Sequence, residues 1–151
     1  LSVTQFRNVI SGSFADWTAD ITFDETALTG QAGTVLATIS IPSLTLGSVT
    51  EQALGADFLD AAGHPQAQFA ADIFVASDGY EARGTLTIKQ TRLPLTLPFA
   101  LVVRDGQAEM RADVILDRRD FAVGDNVQDE ATLAFAVAIR ATLTATRRAN
   151  E

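Results

Sequence analysis

The chain of 151 residues carries one histidine and no cysteine, so its means for metal or nucleophilic chemistry are few. His64 precedes Pro65 at the end of a stretch spaced for a short helix. Zinc sites take several His or Cys ligands, and a Ser-His-Asp triad would need His64 as its base, with no nucleophile-elbow motif in support. A lone histidine so placed reads as a surface or packing residue. Carboxylates are plentiful, and Asp57 and Asp60 are the pair that an acid–base enzyme would use. Most carboxylates, however, among them Asp20, Asp24, Asp60, Asp72 and Asp78, fall on outward strand positions or in turns, where solvated surface charge is the better reading. Arg118 and Arg119, within Asp117-Arg-Arg-Asp120, could hold an anionic head group. The preferred alternative is a turn whose neighbouring charges pair with one another. No phosphate-binding loop and no GxGxxG motif is present. The residues therefore point to no catalytic site, no metal and no cofactor.

The elements that would position any site are strands. Tyr80, Ala82, Gly84, Leu86 and Ile88 alternate with Glu81, Arg83, Thr85, Thr87 and Lys89. Leu133, Phe135, Val137, Ile139, Ala141 and Leu143 alternate likewise with Ala134, Ala136, Ala138, Arg140 and Thr142. Successive strand side chains point to opposite faces, so each segment has one dry face and one wetter face. Many amphipathic strands with few helices suggest an all-β, antiparallel barrel, and a small barrel can hold a ligand inside. Bulky inward residues (Phe14, Trp17, Phe23, Phe69, Phe99, Phe135) mix with small ones (Ala19, Ala37, Ala71, Ala82, Gly84, Ala108, Ala112, Ala141), which favours space along the axis.

The hydrophobic fraction of 47% and charged fraction of 20% fit one globular domain spanning residues 1–151. A net charge of −8 argues against nucleic-acid binding and against docking on an anionic membrane by charge. No run approaches a transmembrane helix, and no signal peptide is visible. The chain begins at Leu1 within an expected strand (1–6), which leads to the expectation that a leader has been removed.

Further strands are expected over 9–14 (broken by Gly12), 17–23, 34–41, 69–75, 80–89, 93–103, 108–116 and 131–147, about eight in all. Pro94 and Pro98 share the outward parity of theirs and mark it as an edge or bulged strand. Arg104-Asp-Gly106 is a hairpin signal, and Ser77-Asp-Gly79 a second turn. Between them in type, Ser48-Val-Thr-Glu51 resembles a capping box, with Leu54, Phe58 and Leu59 spaced for one helical face.

Four motifs occur in order along nearly the whole chain. They are Gly12-Ser-Phe-Ala-Asp-Trp17 with Ile21-Thr-Phe-Asp24; Ala56-Asp-Phe-Leu-Asp60 with His64-Pro65 and Phe69; Ala82-Arg-Gly-Thr-Leu-Thr-Ile88 with Leu93-Pro-Leu95 and Pro98-Phe99; and Leu116-Asp-Arg-Arg-Asp-Phe121 with Val123-Gly124. In these the chain resembles the YceI-like family of bacterial lipid-binding proteins, with Arg92 displaced by one residue from the family's pattern. The resemblance implies a lipocalin-like antiparallel barrel of about eight strands with one or two short helices. It implies non-covalent binding of a polyisoprenoid or ubiquinone-like lipid, and a periplasmic or secreted protein. Two departures stand out. The stretch Val49-Thr-Glu-Gln-Ala-Leu54 lacks an Arg and a His common in the family, and Ala122 replaces its usual Gly.

Parity and resemblance together nominate Trp17, Ile21, Phe23, Ile39, Phe69, Ile73, Leu86, Leu95, Leu97, Phe99, Met110, Val114, Phe135 and Ile139 as lining, with Leu54 and Phe58 at the lid or mouth. The expected partner is a long-chain apolar lipid, carried or sequestered. A homodimer is compatible with the sequence. Two rival readings are a filled barrel acting as a structural or partner-binding module, and an enzyme using Asp57 and Asp60 at the barrel mouth.

Overall fold

The computed structural model describes residues 1–23, 30–77 and 79–146. Eleven strands occur in order: β1 (Ser2–Gln5), β2 (Asn8–Ser11), β3 (Ser13–Phe14), β4 (Trp17–Phe23), β5 (Gln31–Ser40), β6 (Leu44–Thr45), β7 (Gln66–Ala76), β8 (Gly79–Ile88), β9 (Thr91–Arg104), β10 (Gln107–Asp117) and β11 (Leu133–Thr146). Nine form one antiparallel sheet, in the order β2-β1-β11-β10-β9-β8-β7-β5-β4, and β3 pairs with β6 as a small separate patch. The expected strands are thus present, although Asp24, Asp78 and Arg147 lie outside the described residues.

The sheet has to curl. Its two edge strands, β2 and β4, are nearly consecutive in the chain, joined only through residues 12–16. That connection reaches at most about 21 Å, whereas a flat nine-stranded sheet would be about 38 Å wide. The concavity shows in side-chain contacts as well. The rings of Phe23 on β4 and Tyr80 on β8 meet edge-to-face at 5.2 Å, although β5 and β7 lie between their strands. Tyr80 in turn stacks on Phe99 at 5.6 Å. The result is a half-barrel. The two edges are brought together by the chain and by the β3–β6 patch, with no ladder between β2 and β4.

Small residues permit the curvature. β7 alternates without exception from Gln66 to Ile73, burying Ala67, Phe69, Ala71 and Ile73. Opposite Ala71 sits Gly84. A Cβ there would collide with the Ala70 carbonyl and come within 2.5 Å of the Ala71 Cα, so the two strands approach more closely than any side chain allows. A bulge between Gln31 and Gly33 bends β5 and accompanies the burial of Ala32. The hairpin between β9 and β10 turns on Asp105 (φ 51°) and Gly106 (φ 78°), the left-handed pair that its sequence announced.

The helical expectation is only partly met. α1 is confined to Thr50–Leu54 and its N-cap, Val49, has no side-chain cap. Ser48 forms no capping box. Instead the Thr50 hydroxyl accepts from the Leu46 N–H at 2.8 Å and donates to the Gly47 carbonyl. Residues 55–63 follow as successive turns tied by Phe58 N–H and Asp60 N–H to the Gly55 carbonyl.

Loops therefore divide the half-barrel into two ends. One, the loop end, carries residues 41–65, the β8–β9 turn and residues 118–132; the other carries the tight β7–β8 and β9–β10 hairpins. Gly84→Val should lower unfolding free energy by about 3 kcal/mol, because overpacking and backbone displacement add at one site. Chemical denaturation checks this, and Thr85→Val on the outer face should change little.

Candidate functional site

The concave face is a continuous apolar surface. Reading across the ladders, Phe23, Gly33, Ile73, Ala82 and Leu97 form one row, and Ile21, Val35, Ala71, Gly84 and Leu95 the next. Tyr80, Phe99, Ala112 and Ala141 continue the surface across β8 to β11, with Val114 opposite Ile139. Phe69, Ile73, Leu86 and Phe99 form a buried cluster with Ala71, Ala82, Ala112 and Phe121. Phe23, Leu95, Leu97 and Met110 pack against it half-buried.

The other nominated residues are placed differently. Ile39 sits between Trp17 and Ala67 and is half-buried, as are Val114, Phe135 and Ile139. Trp17 and Ile21 keep the inward parity but lie on the edge strand β4, which has a neighbour on one side only, and they remain 39% and 36% exposed. Leu54 and Phe58 belong to the loop end, with Phe58 against Gly124. No large side chain among the described residues is completely sealed from solvent. The inner face is therefore an apolar surface with a buried centre and half-buried flanks such as Leu95, Leu97, Val114 and Ile139.

The loop end is organised by Arg118, which is buried. Its Nε donates to the Ala134 carbonyl at 3.0 Å. One terminal nitrogen donates to Val123 at 3.1 Å and Gly124 at 2.7 Å, the other to Val127 at 2.7 Å and Leu133 at 3.1 Å. All five guanidinium N–H groups are thus spent on backbone carbonyls. Burial pushes this guanidinium below its usual value, but an arginine remains a cation there. Arg119 grips Asp117, with its terminal nitrogen 2.6 Å from the carboxylate, and lies over the Phe135 ring at 3.8 Å. That hydrogen bond holds the Asp117 carboxyl below the ordinary carboxylate value of 3.8. The pair does not present a free anion-binding fork. The reading in which neighbouring charges pair holds for Asp117 and Arg119, while Arg118 pins the 122–133 loop to the start of β11.

Asp57 and Asp60 do not form a catalytic arrangement either. Asp57 offers its carbonyl to Gly124 N–H, and Asp60 stands 3.8 Å from His64 on partly exposed turns. No group of His, Cys, Asp or Glu among the described residues could hold a metal ion. Sequence reasoning missed Phe121, which is 4% exposed and joins the core from a 3-10 turn over Arg118–Phe121. Its signal was a single aromatic residue inside an otherwise polar stretch.

A family model described as the YceI-like domain matches residues 2–145. Among solved structures, that of Burkholderia cenocepacia BcnA is similar at 28% identity, covering 96% of this chain and 94% of its own, with a TM-score of 0.85. A Campylobacter jejuni YCEI protein aligns over 91% of this chain and 85% of its own, at 19% identity and a TM-score of 0.80, a likeness of fold. A mutant of that protein crystallised with a monobromobimane guest matches equally well, with a TM-score of 0.81 at the same 19% identity and the same 91% and 85% coverage. A search of curated protein sequences finds no match.

Arg118→Met should cost about 3 kcal/mol in urea unfolding, since one buried and four partly buried carbonyls lose their donors together. The Asp117 pair makes a pH prediction. A carboxyl depressed in the folded state contributes stability above its unfolded pKa and loses it as pH falls through the folded value. The stability difference between the wild type and Asp117→Asn should therefore be constant above about pH 5. It should shrink below the ordinary value of 3.8.

Proposed function

The chain belongs to the YceI-like domain family, and on that premise we propose that it binds a long apolar isoprenoid or quinone-like lipid, non-covalently, along its concave face. Family membership supports a lipid-binding barrel in general. The observation that carries the finer reading is the continuous apolar inner face, none of whose large side chains is fully sealed. The half-buried members of that face, such as Leu95, Leu97, Met110 and Ile139, keep a solvent contact that a guest would remove. Each methylene covered is worth roughly 0.8 kcal/mol. Ordering a flexible chain offsets part of that gain. Selection by such a surface is by length and girth, because it offers few polar groups.

Carriage or sequestration follows from reversible burial. The periplasm or the extracellular space is the proposed setting, reached from the resemblance set out above. No helix among the described residues is long and apolar enough to cross a membrane. The family is one of binding proteins, and the turns around Asp57, Asp60 and His64 supply no reacting geometry.

The test is mass spectrometry of an organic extract of the purified protein, with native mass spectrometry beside it. A stoichiometric isoprenoid or quinone is expected. Absence of bound lipid, together with no uptake of long-chain isoprenoids offered in excess, would sink the reading. Leu97→Glu and Ile139→Glu place a charge on the concave face at half-buried sites. Each should reduce bound lipid at least about tenfold while unfolding remains cooperative.

A further inference from the structure

Pairing between β9 and β10 stops at Phe99 opposite Ala112. On their other sides both strands continue to the loop end, β9 to Thr91 beside β8 and β10 to Asp117 beside β11. Residues 91–98 and 113–117 therefore form two wall segments with no ladder between them. The chemistry of the break lies in β9. Continuing the register would set Pro98 against Asp113 and Pro94 against Asp117, and neither proline has an N–H to donate.

A recess of about 210 Å³ occupies the split. On its inner side are Leu86, Leu93, Leu95 and Phe121, which belong to the apolar cluster or pack on it. On its outer lip is Ile115, 72% exposed and the most exposed large apolar side chain among the described residues. The recess is smaller than the roughly 300–1,000 Å³ of ordinary ligand pockets, which suits a passage better than a chamber.

A second, outer recess of about 540 Å³ adjoins it and shares Leu93 and Pro94. Gln68, Thr87 and Arg92 form one cross-strand row of its lining, and Ala70, Thr85 and Pro94 another. Arg83, Arg111, Arg119 and Arg140 each pair with a carboxylate, but Arg92 has no such partner among the described residues. The carboxylate on the opposite wall, Asp117, is already held by Arg119. An unpartnered guanidinium, two hydroxyls and an amide thus border one side of a slit of mixed polarity, whose other side carries Asp117, held by Arg119, and Asp120.

We propose that the split between β9 and β10 is a lateral port for a single-chain amphiphile, with its tail passing between Leu93 and Phe121 to the inner face and its oxyanion head resting on Arg92. The inference rests on the lipid-binding reading and narrows it to a ligand with a terminal phosphate or carboxylate. A guanidinium recognises either oxyanion through paired N–H donors.

Three probes separate the cases: geranylgeraniol, geranylgeranyl phosphate and palmitate, titrated at low ionic strength into the full chain. The wild type should bind at least one oxyanion probe about tenfold more tightly than the alcohol. Which of the two gains more identifies the head. Arg92→Gln should abolish most of that preference and leave the alcohol's affinity unchanged. Arg104→Gln removes the same charge at the far hairpin and should preserve the preference. If Arg92→Gln leaves the ratio intact, or Arg104→Gln lowers it equally, the port is wrong while the lipid-binding reading stands. If no probe binds any variant, the lipid-binding reading falls and takes this inference with it.

Discussion

The structure depends on one geometrical constraint: two edges of a nine-stranded sheet are joined by a connection too short to span it flat. The sheet must roll, and rolling decides which residues can occupy the concave side. Where β7 and β8 approach most closely, at Gly84, the facing inner residue is Ala71, with Ala82 two positions away. Larger side chains, Phe69 with its cross-strand partner Leu86 and Phe99 beyond them, reach inward beside these. The small residues that let the strands approach and the large ones beside them together make the concave side one continuous apolar surface.

The loop end shows how that wall is kept in shape without a second hydrophobic core. Residues 122–133 contain few apolar side chains, so burial cannot fix them. Arg118 does so by donating to five carbonyls at once, a charge-assisted set that satisfies backbone groups with no strand partner. Immediately after it, Phe121 turns back into the core, and Ala122 closes the 3-10 turn at φ 55° with its N–H on the Arg119 carbonyl. The adjacent Lys89 ammonium reaches the Ala122 carbonyl at 3.0 Å, tying the β8–β9 turn to the same point. Polar groups hold the loop, and the loop in turn holds one aromatic ring in place. Substituting a short apolar residue for Arg118 would therefore disturb packing as well as hydrogen bonding.

Alternation made the strands legible in the sequence. β7, β8, β10 and β11 show their faces residue by residue because one face is dry, and the hairpin at Asp105-Gly106 is chemically unambiguous. The inner-face residues followed from the same parity. Periodicity carries no information about which inward residues end up at an edge, so Trp17 and Ile21 looked equivalent to Phe69 and Ile73 although β4 has no neighbour on one side. Nor does it reach irregular segments. The role of Arg118 depends on five carbonyls spread from Val123 to Ala134, an arrangement set by tertiary structure. Ser48 makes no cap because the chain enters α1 from a 3-10 turn over Gly47–Val49, and Thr50 instead closes that turn by accepting from the Leu46 N–H.

Pro94 and Pro98 connect the two kinds of information. In the sequence they mark an edge or bulged strand, whereas β9 lies inside the sheet between β8 and β10 and is edge-like only over residues 91–98. In the structure they coincide with the place where the wall opens, and only on the side facing β10. Two paired blocks result, β4 to β9 and β10 to β2, joined by the short ladder from Gln107 to Ala112 and by Phe121 wedged at the other end. Opening the wedge would break no ladder hydrogen bond between β9 and β10, since none exists there to break. The cost is the exposure of one phenyl ring and the loss of the Lys89–Ala122 hydrogen bond across the same seam, which together stay below the cost of separating paired strands. A curled wall with one unlatched seam can therefore admit a long chain from the side while the rest of its ladders stay closed.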